Sequence, residues 1–246
     1  MNIAVIFAGG VGSRMRSKER PKQFLEMHGK PILIHTLEIF ERNENIDAIV
    51  LSCVESWIDY ASELINKYQI SKVKSIVPGG ETGQLSIYNG LCAAKVVAEE
   101  QPCIVLIHDG VRPLINQQVI NDNIKSVQQY GSAITSVKVV ETMLIVNEQN
   151  EIEEVPEREK SRLARAPQSF WLTDILNNHE MALSEFKTNF IDSCTLMRHY
   201  GARLHLIDGP KENIKITTPE DFYILRAMLD AKENEQIYIE MDVFNR

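Results

Sequence analysis

The chain has 246 residues, of which 44% are hydrophobic and 24% charged, and its formal net charge is −8. This composition excludes collagen-like, mucin-like and largely disordered chains, and the acidic balance disfavours a surface that binds nucleic acid. A chain of this length can bury a core without disulfides or metal ions, so we expect one domain over residues 1–246. The cysteines are interpreted as free thiols, with a catalytic or zinc-binding role as the alternative. They are Cys53, Cys92, Cys103 and Cys194.

The N-terminus leads directly into the apolar segment Asn2–Phe7, without the basic region and cleavage site of a signal peptide. No apolar stretch approaches the roughly 18 residues of a membrane span. We therefore expect a cytoplasmic protein that makes no membrane contact.

Short β-branched segments alternate with segments of helical period through the first two-thirds of the chain. Strands are predicted at 2–7, 47–52, 74–77, 103–107 and 132–139. Between them, apolar stripes are predicted to pack in the core. These stripes are Leu33, Leu37 and Phe40, then Ile87, Leu91, Ala94 and Ala98, then Ile120, Ile124 and Val127. The order predicts an α/β fold, a Rossmann-like and mostly parallel sheet with flanking helices and a ligand crevice at the carboxyl ends of its strands.

Residues 141–165 interrupt this alternation and are predicted to form a protruding β-hairpin arm. Its apolar residues, from Met143–Val146 to Val155, present more apolar surface than a lone hairpin can bury. This surface predicts a homodimer, in which a second subunit covers the arm. Further strands are predicted at 203–207 and 213–217, and Thr218-Pro219 predicts the start of a helix.

Three glycines follow the first buried strand in the segment Phe7–Met15, and Pro21–Phe24 comes soon after. Such a loop lets backbone N–H groups approach a polyphosphate, and Arg14 and Lys22 add cations. A solvated basic turn is the alternative interpretation. Met15 stands where a dinucleotide fingerprint needs its third glycine, and the Gly-Lys-Ser/Thr of a Walker loop is absent.

The pattern Ala8-Gly9-Gly10-x-Gly12-x-Arg14-Met15 with Pro21-Lys22-Gln23-Phe24 resembles the nucleotidyltransferase loop of the polyol-phosphate cytidylyltransferases. That family includes ribitol-5-phosphate and 2-C-methyl-D-erythritol-4-phosphate types. Three further segments resemble family motifs in the same order, so that the resemblance covers nearly the whole chain. They are His108–Pro113, Pro167–Phe170 and Asn213–Thr217.

The resemblance implies that the polyol phosphate attacks the α-phosphorus of CTP, giving a CDP-polyol and pyrophosphate, with Mg²⁺ assisting. It implies a catalytic role for Arg14, Lys22 and Lys215, although an outward-facing strand lysine is the alternative for Lys215. The implied nucleotide-binding residues are Ala8, Gly9, Gly10, Gly12, Gly79, Gly80, Ser86 and Gly110. Asp109 is the candidate ligand for the metal.

The resemblance also implies an acceptor side formed by Asp109, Arg112, Thr142, Arg158 and Asp192, with Arg158 reaching the neighbouring subunit's site. The alternatives are an Asp109–Arg112 pair that only staples its loop and a solvated hairpin around Thr142 and Arg158. His108 is interpreted as a packed residue rather than an acid–base catalyst.

Three departures from the family pattern leave the acceptor in question. Gly83 replaces an arginine on the nucleotide side, while Ala166 and Ile191 replace threonines on the acceptor side. Ribitol 5-phosphate is favoured as the acceptor and 2-C-methyl-D-erythritol 4-phosphate is the alternative. A non-catalytic nucleotide-binding module and an unrelated dinucleotide-dependent oxidoreductase are the competing functions from other classes.

Overall fold

The structure, a computed structural model, describes residues 1–10 and 20–243, with side chains described up to residue 234. The strands are β1 (Asn2–Ala8), β2 (Glu26–Met27), β3 (Lys30–Pro31), β4 (Ala48–Cys53), β5 (Val73–Pro78), β6 (Ile104–Asp109), β7 (Ser132–Lys138), β8 (Ile145–Val146), β9 (Ile152–Glu154), β10 (Arg162–Trp171) and β11 (Leu206–Asp208). The helices are α1 (Ile32–Glu41), α2 (Ile58–Lys67), α3 (Gly83–Ala98), α4 (Gln117–Tyr130), α5 (Leu172–Ser184), α6 (Ser193–His199) and α7 (Pro219–Val243).

A seven-stranded sheet in the order β11-β7-β10-β6-β1-β4-β5 forms the centre of the molecule. β10 runs antiparallel to both of its neighbours, and the remaining pairs are parallel. The mostly parallel α/β sheet predicted from the sequence is therefore confirmed. Each of the five predicted strands in the first two-thirds is present within one or two residues of its predicted bounds.

Helices cover both faces of the sheet because its central strands are apolar on both sides. In β1, Ala4 and Ile6 pack towards α1, α2 and α4, whereas Ile3 and Val5 pack towards α3, α5 and α6. The three predicted apolar stripes are buried and supply much of these two cores. Because β1 pairs in parallel with both β4 and β6, the carboxyl ends of the three strands lie together at one edge of the sheet.

A third, smaller core joins the start of α7 to the β2–β3 hairpin, and it includes Met27, Val111, Ile216 and Leu225. The helix begins at Pro219 as predicted. The Asp221 carboxylate accepts hydrogen bonds from the backbone N–H groups of Thr217 and Thr218, each at 2.8 Å, and so fixes the entry to the helix.

The strand predicted at 213–217 is wrong. Within residues 1–10 and 20–243 this segment pairs with no strand, and its backbone is held by single contacts such as the 3.0 Å hydrogen bond from Ile216 N to Val111 O. Alternating apolar residues arise here because Ile214 and Ile216 pack into the small core beside α7. The strand predicted at 203–207 is displaced, since β11 covers Leu206–Asp208.

The predicted arm is present as a hairpin of β8 and β9, but the boundary at 165 is wrong. Residues 162–165 belong to β10 and pair with β7 in the central sheet. Apolar residues of the arm are exposed in the isolated chain, among them Leu144 (53%), Ile152 (61%) and Val155 (56%). Within the described residues, no helix combines the length and hydropathy that a bilayer span requires.

Candidate active site

A cavity of about 480 Å³ opens where β1, β5 and β6 end at one edge of the sheet. Phe7, Ala8, Gly9 and Gly10 line it on one side and Gly80–Gly83 on another, with Ser86 below. Lys22, Asp109, Lys215 and Thr217 bring charge and hydroxyl groups to the same space. Three of the four segments that resemble family motifs therefore contribute residues to this cavity, together with the second glycine loop around Gly80.

Two glycine loops meet at closest approach between Gly9 and Gly79. A Cβ atom on Gly9 would lie 2.7 Å from Ser86 Oγ and 3.3 Å from Gly79 Cα, and one on Gly79 would lie 3.0 Å from Gly9 Cα. Neither position therefore has room for a side chain without displacing backbone. Ser86 Oγ accepts a 3.0 Å hydrogen bond from Gly80 N, which holds the second loop to the first turn of α3.

Gln23 braces the first loop from beneath. Its Nε2 donates to the carbonyl oxygen of Ala8 at 2.6 Å, and its side chain is almost fully buried. Phe24 beside it stacks on Trp57 with ring centroids 5.0 Å apart. The segment that carries Lys22 is thereby fixed to the sheet, which positions the lysine at the cavity.

The N-terminus of α3 faces the cavity and forms its second wall. Thr82 caps this helix, accepting a hydrogen bond from Leu85 N at 3.2 Å. The partial positive charge of a helix N-terminus favours an anion at this place. A Cβ on Gly83 would meet nothing within 4 Å, so the position where the family pattern has an arginine is open space.

Asp109 is the electrostatic centre of the site. Its Oδ1 lies 2.6 Å from Lys215 Nζ and its Oδ2 lies 2.6 Å from Arg112 Nε. Burial acts to raise the pKa of this carboxyl, but the charges and hydrogen bonds of Lys215 and Arg112 outweigh burial and hold the pKa well below its ordinary value. Asp109 is thus ionised at neutral pH.

Arg112 is itself buried and fixed on two sides, and it pairs with Asp109 as the alternative interpretation of these two residues expected. Its Nη1 donates to the carbonyl oxygen of Asn213 at 3.0 Å. Asn213 is fully buried, and its Nδ2 donates to the carbonyl oxygen of Ala166 at 2.6 Å. One chain of hydrogen bonds therefore connects the segments His108–Pro113 and Asn213–Thr217 to Ala166, which directly precedes the third segment, Pro167–Phe170.

His108 is packed inside the protein, as predicted. Its side chain is fully buried, its ring lies 5.1 Å from that of Phe40, and its Nε2 lies 3.2 Å from the carbonyl oxygen of Arg112. Burial lowers the pKa of His108 to about 4. The imidazole is neutral at physiological pH and supports the loop rather than facing the cavity.

The structure brings most predicted site residues together. Ala8, Gly9, Gly10, Lys22, Gly80, Ser86, Asp109 and Lys215 line the cavity. Gly79, Gly110 and Arg112 lie directly behind that lining, with Gly110 N donating to Phe7 O at 3.0 Å. Gly12 and Arg14 lie outside the described residues.

The remaining acceptor-side residues are not part of the cavity lining within one chain. Thr142 and Arg158 lie exposed on the arm, where Arg158 Nη1 contacts the carbonyl oxygen of Val140 at 3.3 Å. Asp192 caps α6 and accepts a 3.0 Å hydrogen bond from Gln168 Nε2. Their assignment to acceptor binding stays a prediction.

Several residues that shape the cavity are not among the predicted site residues. Gln23 and Asn213 lie inside two of the segments that resemble family motifs, but polarity alone does not reveal that each side chain donates a hydrogen bond to a backbone carbonyl oxygen. Thr82 carries a usable signal, because a threonine just before an apolar helical stripe is typical of an N-cap. Phe7 was assigned only to a strand, although its ring lies 5.8 Å from Lys215 Nζ.

The described lining residues fit a magnesium ion only in part. Asp109 and Glu81 are the carboxylates among them, and each oxygen of Asp109 already contacts a cation. Mg²⁺ demands near-octahedral oxygen coordination and commonly takes much of it from water and substrate phosphates. These residues therefore suit a magnesium ion whose ligands come mainly from a bound triphosphate.

Comparison with known proteins identifies relatives of the whole chain. A ribitol-5-phosphate cytidylyltransferase from Streptococcus agalactiae serotype III is 57% identical over 97% of this chain and 99% of the relative. A 2-C-methyl-D-erythritol 4-phosphate cytidylyltransferase from Clostridium botulinum is 40% identical over 93% of this chain and 97% of the relative.

The fold agrees with a solved structure. The crystal structure of 4-diphosphocytidyl-2C-methyl-D-erythritol synthase from Anaerococcus prevotii matches with a TM-score of 0.80 at 29% identity, covering 93% of this chain and 96% of that one. The family model for 2-C-methyl-D-erythritol 4-phosphate cytidylyltransferase (IspD) matches residues 2–231. With these matches and the glycine-walled cavity around Asp109, the chain belongs to the IspD family of CTP-dependent cytidylyltransferases.

Proposed function

We propose that this protein transfers the cytidylyl group of CTP to ribitol 5-phosphate, releasing pyrophosphate and forming CDP-ribitol. The observation that carries the acceptor is the 57% identity to a ribitol-5-phosphate cytidylyltransferase, against 40% for a 2-C-methyl-D-erythritol 4-phosphate enzyme.

In this reaction an oxygen of the ribitol phosphate forms a bond to the α-phosphorus of CTP. The bond from that phosphorus to the oxygen bridging the α- and β-phosphates breaks, and pyrophosphate leaves with the electron pair. Because two anions must meet in line, positioned cations contribute more than a strong base. Lys22 and Lys215 are assigned to this task, together with Arg14 on the first glycine loop.

Asp109 is assigned to positioning and not to proton abstraction. Its lowered pKa makes the carboxylate a weak base, and a phosphate monoester at neutral pH is already an oxygen nucleophile. The carboxylate instead holds Lys215 Nζ at 2.6 Å, on the cavity side of Arg112. Lys215 can then transfer its contact from Asp109 to a substrate phosphate.

Magnesium enters this proposal as part of the substrate, in a complex with the triphosphate of CTP. The donor set around the cavity supports that form, because Asp109 and Glu81 cannot complete an octahedral site. A water-bridged or direct contact from Asp109 would steer the complex towards the acceptor.

We further propose a homodimer in which the arm of one subunit reaches the site of the other. The exposed apolar residues of the arm support this arrangement, since a second subunit would cover them. Arg158 would then contact the acceptor phosphate of the neighbouring site. A cytoplasmic location is proposed with it and is supported by four free cysteines, which are typical of a reducing compartment.

The deciding experiment measures pyrophosphate release with CTP and a panel of acceptors: ribitol 5-phosphate, 2-C-methyl-D-erythritol 4-phosphate and unphosphorylated ribitol. The proposal predicts the highest kcat/KM with ribitol 5-phosphate and no turnover with ribitol. A higher kcat/KM with the erythritol phosphate would overturn the acceptor. Equal turnover with UTP or ATP would overturn the nucleotide preference, because a site that hydrogen-bonds cytosine leaves groups unpaired with other bases.

A further inference from the structure

Thr217 brings a hydroxyl group to the cavity that the proposed mechanism does not use. It lines the cavity two residues after Lys215. Ile216, between them, is fully buried in the small core beside α7 and donates its backbone N–H to the carbonyl oxygen of Val111 at 3.0 Å. Because Ile216 is anchored in that core, Lys215 and Thr217 are held next to each other at the cavity wall.

The proton of this hydroxyl is committed to a carboxylate. Thr217 Oγ1 donates to Asp221 Oδ2 at 2.7 Å, and the same carboxylate oxygen accepts the backbone N–H groups of Thr217 and Thr218, each at 2.8 Å. Burial acts to raise the pKa of Asp221, but these hydrogen bonds outweigh burial and hold the pKa below its ordinary value. Asp221 is therefore ionised at neutral pH and has no proton to give, so Thr217 is the donor in this contact.

Thr217 Oγ1 is left with lone pairs only. A hydroxyl group has one proton and two lone pairs, so this oxygen can only accept a hydrogen bond from a further partner. No donor contacts it within residues 1–10 and 20–234. Its contact with Asp221 is only partly buried, which agrees with a position at the cavity wall. Thr217 thus presents a fixed acceptor to the occupant of the adjoining space.

A fixed acceptor favours a partner that carries a donor. Phosphate oxygens are strong acceptors, so Thr217 is unsuited to the phosphates that Lys215 is assigned to bind. Both substrates of the proposed reaction also carry hydroxyl groups, on the ribose of CTP and along the ribitol chain. Residues two apart in a chain lie at most about 7 Å from each other. The hydroxyls nearest to a substrate phosphate are within that reach, so a phosphate on Lys215 can bring one of them to Thr217.

We propose that Thr217 accepts a hydrogen bond from a hydroxyl group of a substrate and is a specificity-determining residue of this enzyme. The proposal rests on the proposed function, since it takes the substrates to be CTP and ribitol 5-phosphate. Asp221 is a positioning residue in this arrangement, because it fixes the direction of the hydroxyl proton. The donating hydroxyl belongs to the ribose or to the ribitol chain, and substrate analogues separate the two sources.

The test compares Thr217→Val with Thr218→Val, a matched loss of the neighbouring threonine. Thr218 also contacts Asp221 at the start of α7, but it is absent from the cavity lining. With CTP and ribitol 5-phosphate, Thr217→Val should lower kcat/KM by roughly three- to tenfold, the effect of one neutral hydrogen bond. Thr218→Val should leave kcat/KM unchanged, and Thr217→Ser, which keeps the hydroxyl, should restore most of the loss.

Analogues that lack one hydroxyl group identify the donor. They are 2′-deoxy-CTP, 3′-deoxy-CTP and ribitol 5-phosphates deoxygenated at a single carbon, each assayed with the parent enzyme and with Thr217→Val. The analogue that lacks the donating hydroxyl should have a lower kcat/KM with the parent enzyme, and Thr217→Val should cause no further loss with it. Such a result with a CTP analogue assigns the contact to the ribose, and with a ribitol analogue it assigns the contact to the acceptor.

Three results would each overturn the role of Thr217. They are a Thr217→Val loss of the same factor with every analogue, an equal loss in Thr218→Val, and a parent enzyme that uses all deoxy analogues as well as the complete substrates. The last result needs no variant, so it decides the matter even where Thr217→Val does not fold. If the parent enzyme does not turn over ribitol 5-phosphate, the proposed acceptor fails. The CTP analogues and deoxy forms of 2-C-methyl-D-erythritol 4-phosphate then decide the role of Thr217 by the same comparison.

Discussion

Lys215 Nζ lies 2.6 Å from Oδ1 of Asp109, so the cation expected to act on the transferring phosphorus is held by a buried carboxylate. The lysine is about one-third exposed, whereas the aspartate is almost fully buried. The carboxylate is thus the fixed partner and the amine faces the cavity. This geometry gives a lysine that is oriented before substrate arrives.

The first prediction separates catalysis from folding through the two cavity lysines. We expect Lys22→Ala and Lys215→Ala each to lower kcat by roughly 10²-fold or more, because each removes a cation from the transition state. Thermal unfolding should show correctly folded protein in both cases. The exposed Lys211, which is absent from the cavity lining, supplies the matched control Lys211→Ala. Near-normal kcat in either cavity variant removes that lysine from the proposed mechanism.

The second prediction concerns acid stability. The folded state holds the pKa of Asp109 below the ordinary 3.8, so Asp109 contributes stability that is present above that pH and is lost as pH falls below it. Asp109→Asn should therefore be less stable than the parent protein near neutral pH, and the difference should shrink in acid. Urea unfolding at about pH 6 and about pH 3 measures this. A stability gap that stays constant or widens in acid contradicts the predicted ionisation.

The third prediction concerns His179, which is buried between α5 and α3 and stacks on Tyr88 with ring centroids 5.8 Å apart. Neither ring nitrogen has a hydrogen-bond partner among the residues that the structure describes, and burial lowers the pKa of His179 to about 4 from 6.5. The unfolded chain binds a proton first as pH falls, so folding stability decreases between those two values. Between pH 7 and pH 5, protonation of His179 in the unfolded chain should lower the free energy of unfolding by about 2 kcal/mol.

His179→Leu removes the titrating group while keeping an apolar side chain in the same space. The fall in unfolding free energy between pH 7 and pH 5 should therefore be smaller by about 2 kcal/mol in this variant than in the parent protein. His108 remains in both proteins, and its contribution cancels in the comparison. Identical pH dependence in the two proteins would show that His179 titrates normally.

The fourth prediction tests the shared site. A variant lacking Arg158 and a variant lacking Lys22 should each be inactive, yet a mixture that exchanges subunits should recover part of the activity. Recovery follows because a mixed dimer contains one site with both residues intact. Light scattering verifies the dimer, and labelled subunits verify exchange. A monomer, or proven exchange without recovery, would leave Arg158 as a surface residue of the arm.

Much of the sheet was predictable because its strands are apolar on both faces and bounded by helical periods. β10 was missed for a physical reason: Arg162, Arg165 and Pro167 interrupt the apolar pattern, and proline is disfavoured within a regular strand. The structure accommodates them with a shift of register against β7. Alternation alone also produced the wrong strand at 213–217, where the apolar residues pack beneath α7.

The candidate site was predictable only as a set of motifs. The sequence motifs contain the glycine loops and the cations Lys22 and Lys215, and the structure places these groups around one cavity. The contact of Lys215 with Asp109 depends on how distant segments pack, which no local pattern contains. The same is true of the chain of hydrogen bonds from Arg112 through Asn213 to Ala166.

The reversed direction of β10 has a consequence for how this protein can diverge. The chain leaves the sheet at the end of β7 and returns next to it along β10, so both ends of the arm enter adjacent strands. Lengthening, shortening or exchanging the hairpin therefore leaves every pairing of the central sheet in register. The arm can therefore be exchanged between relatives by recombination without disturbing the strands whose carboxyl ends carry the cavity.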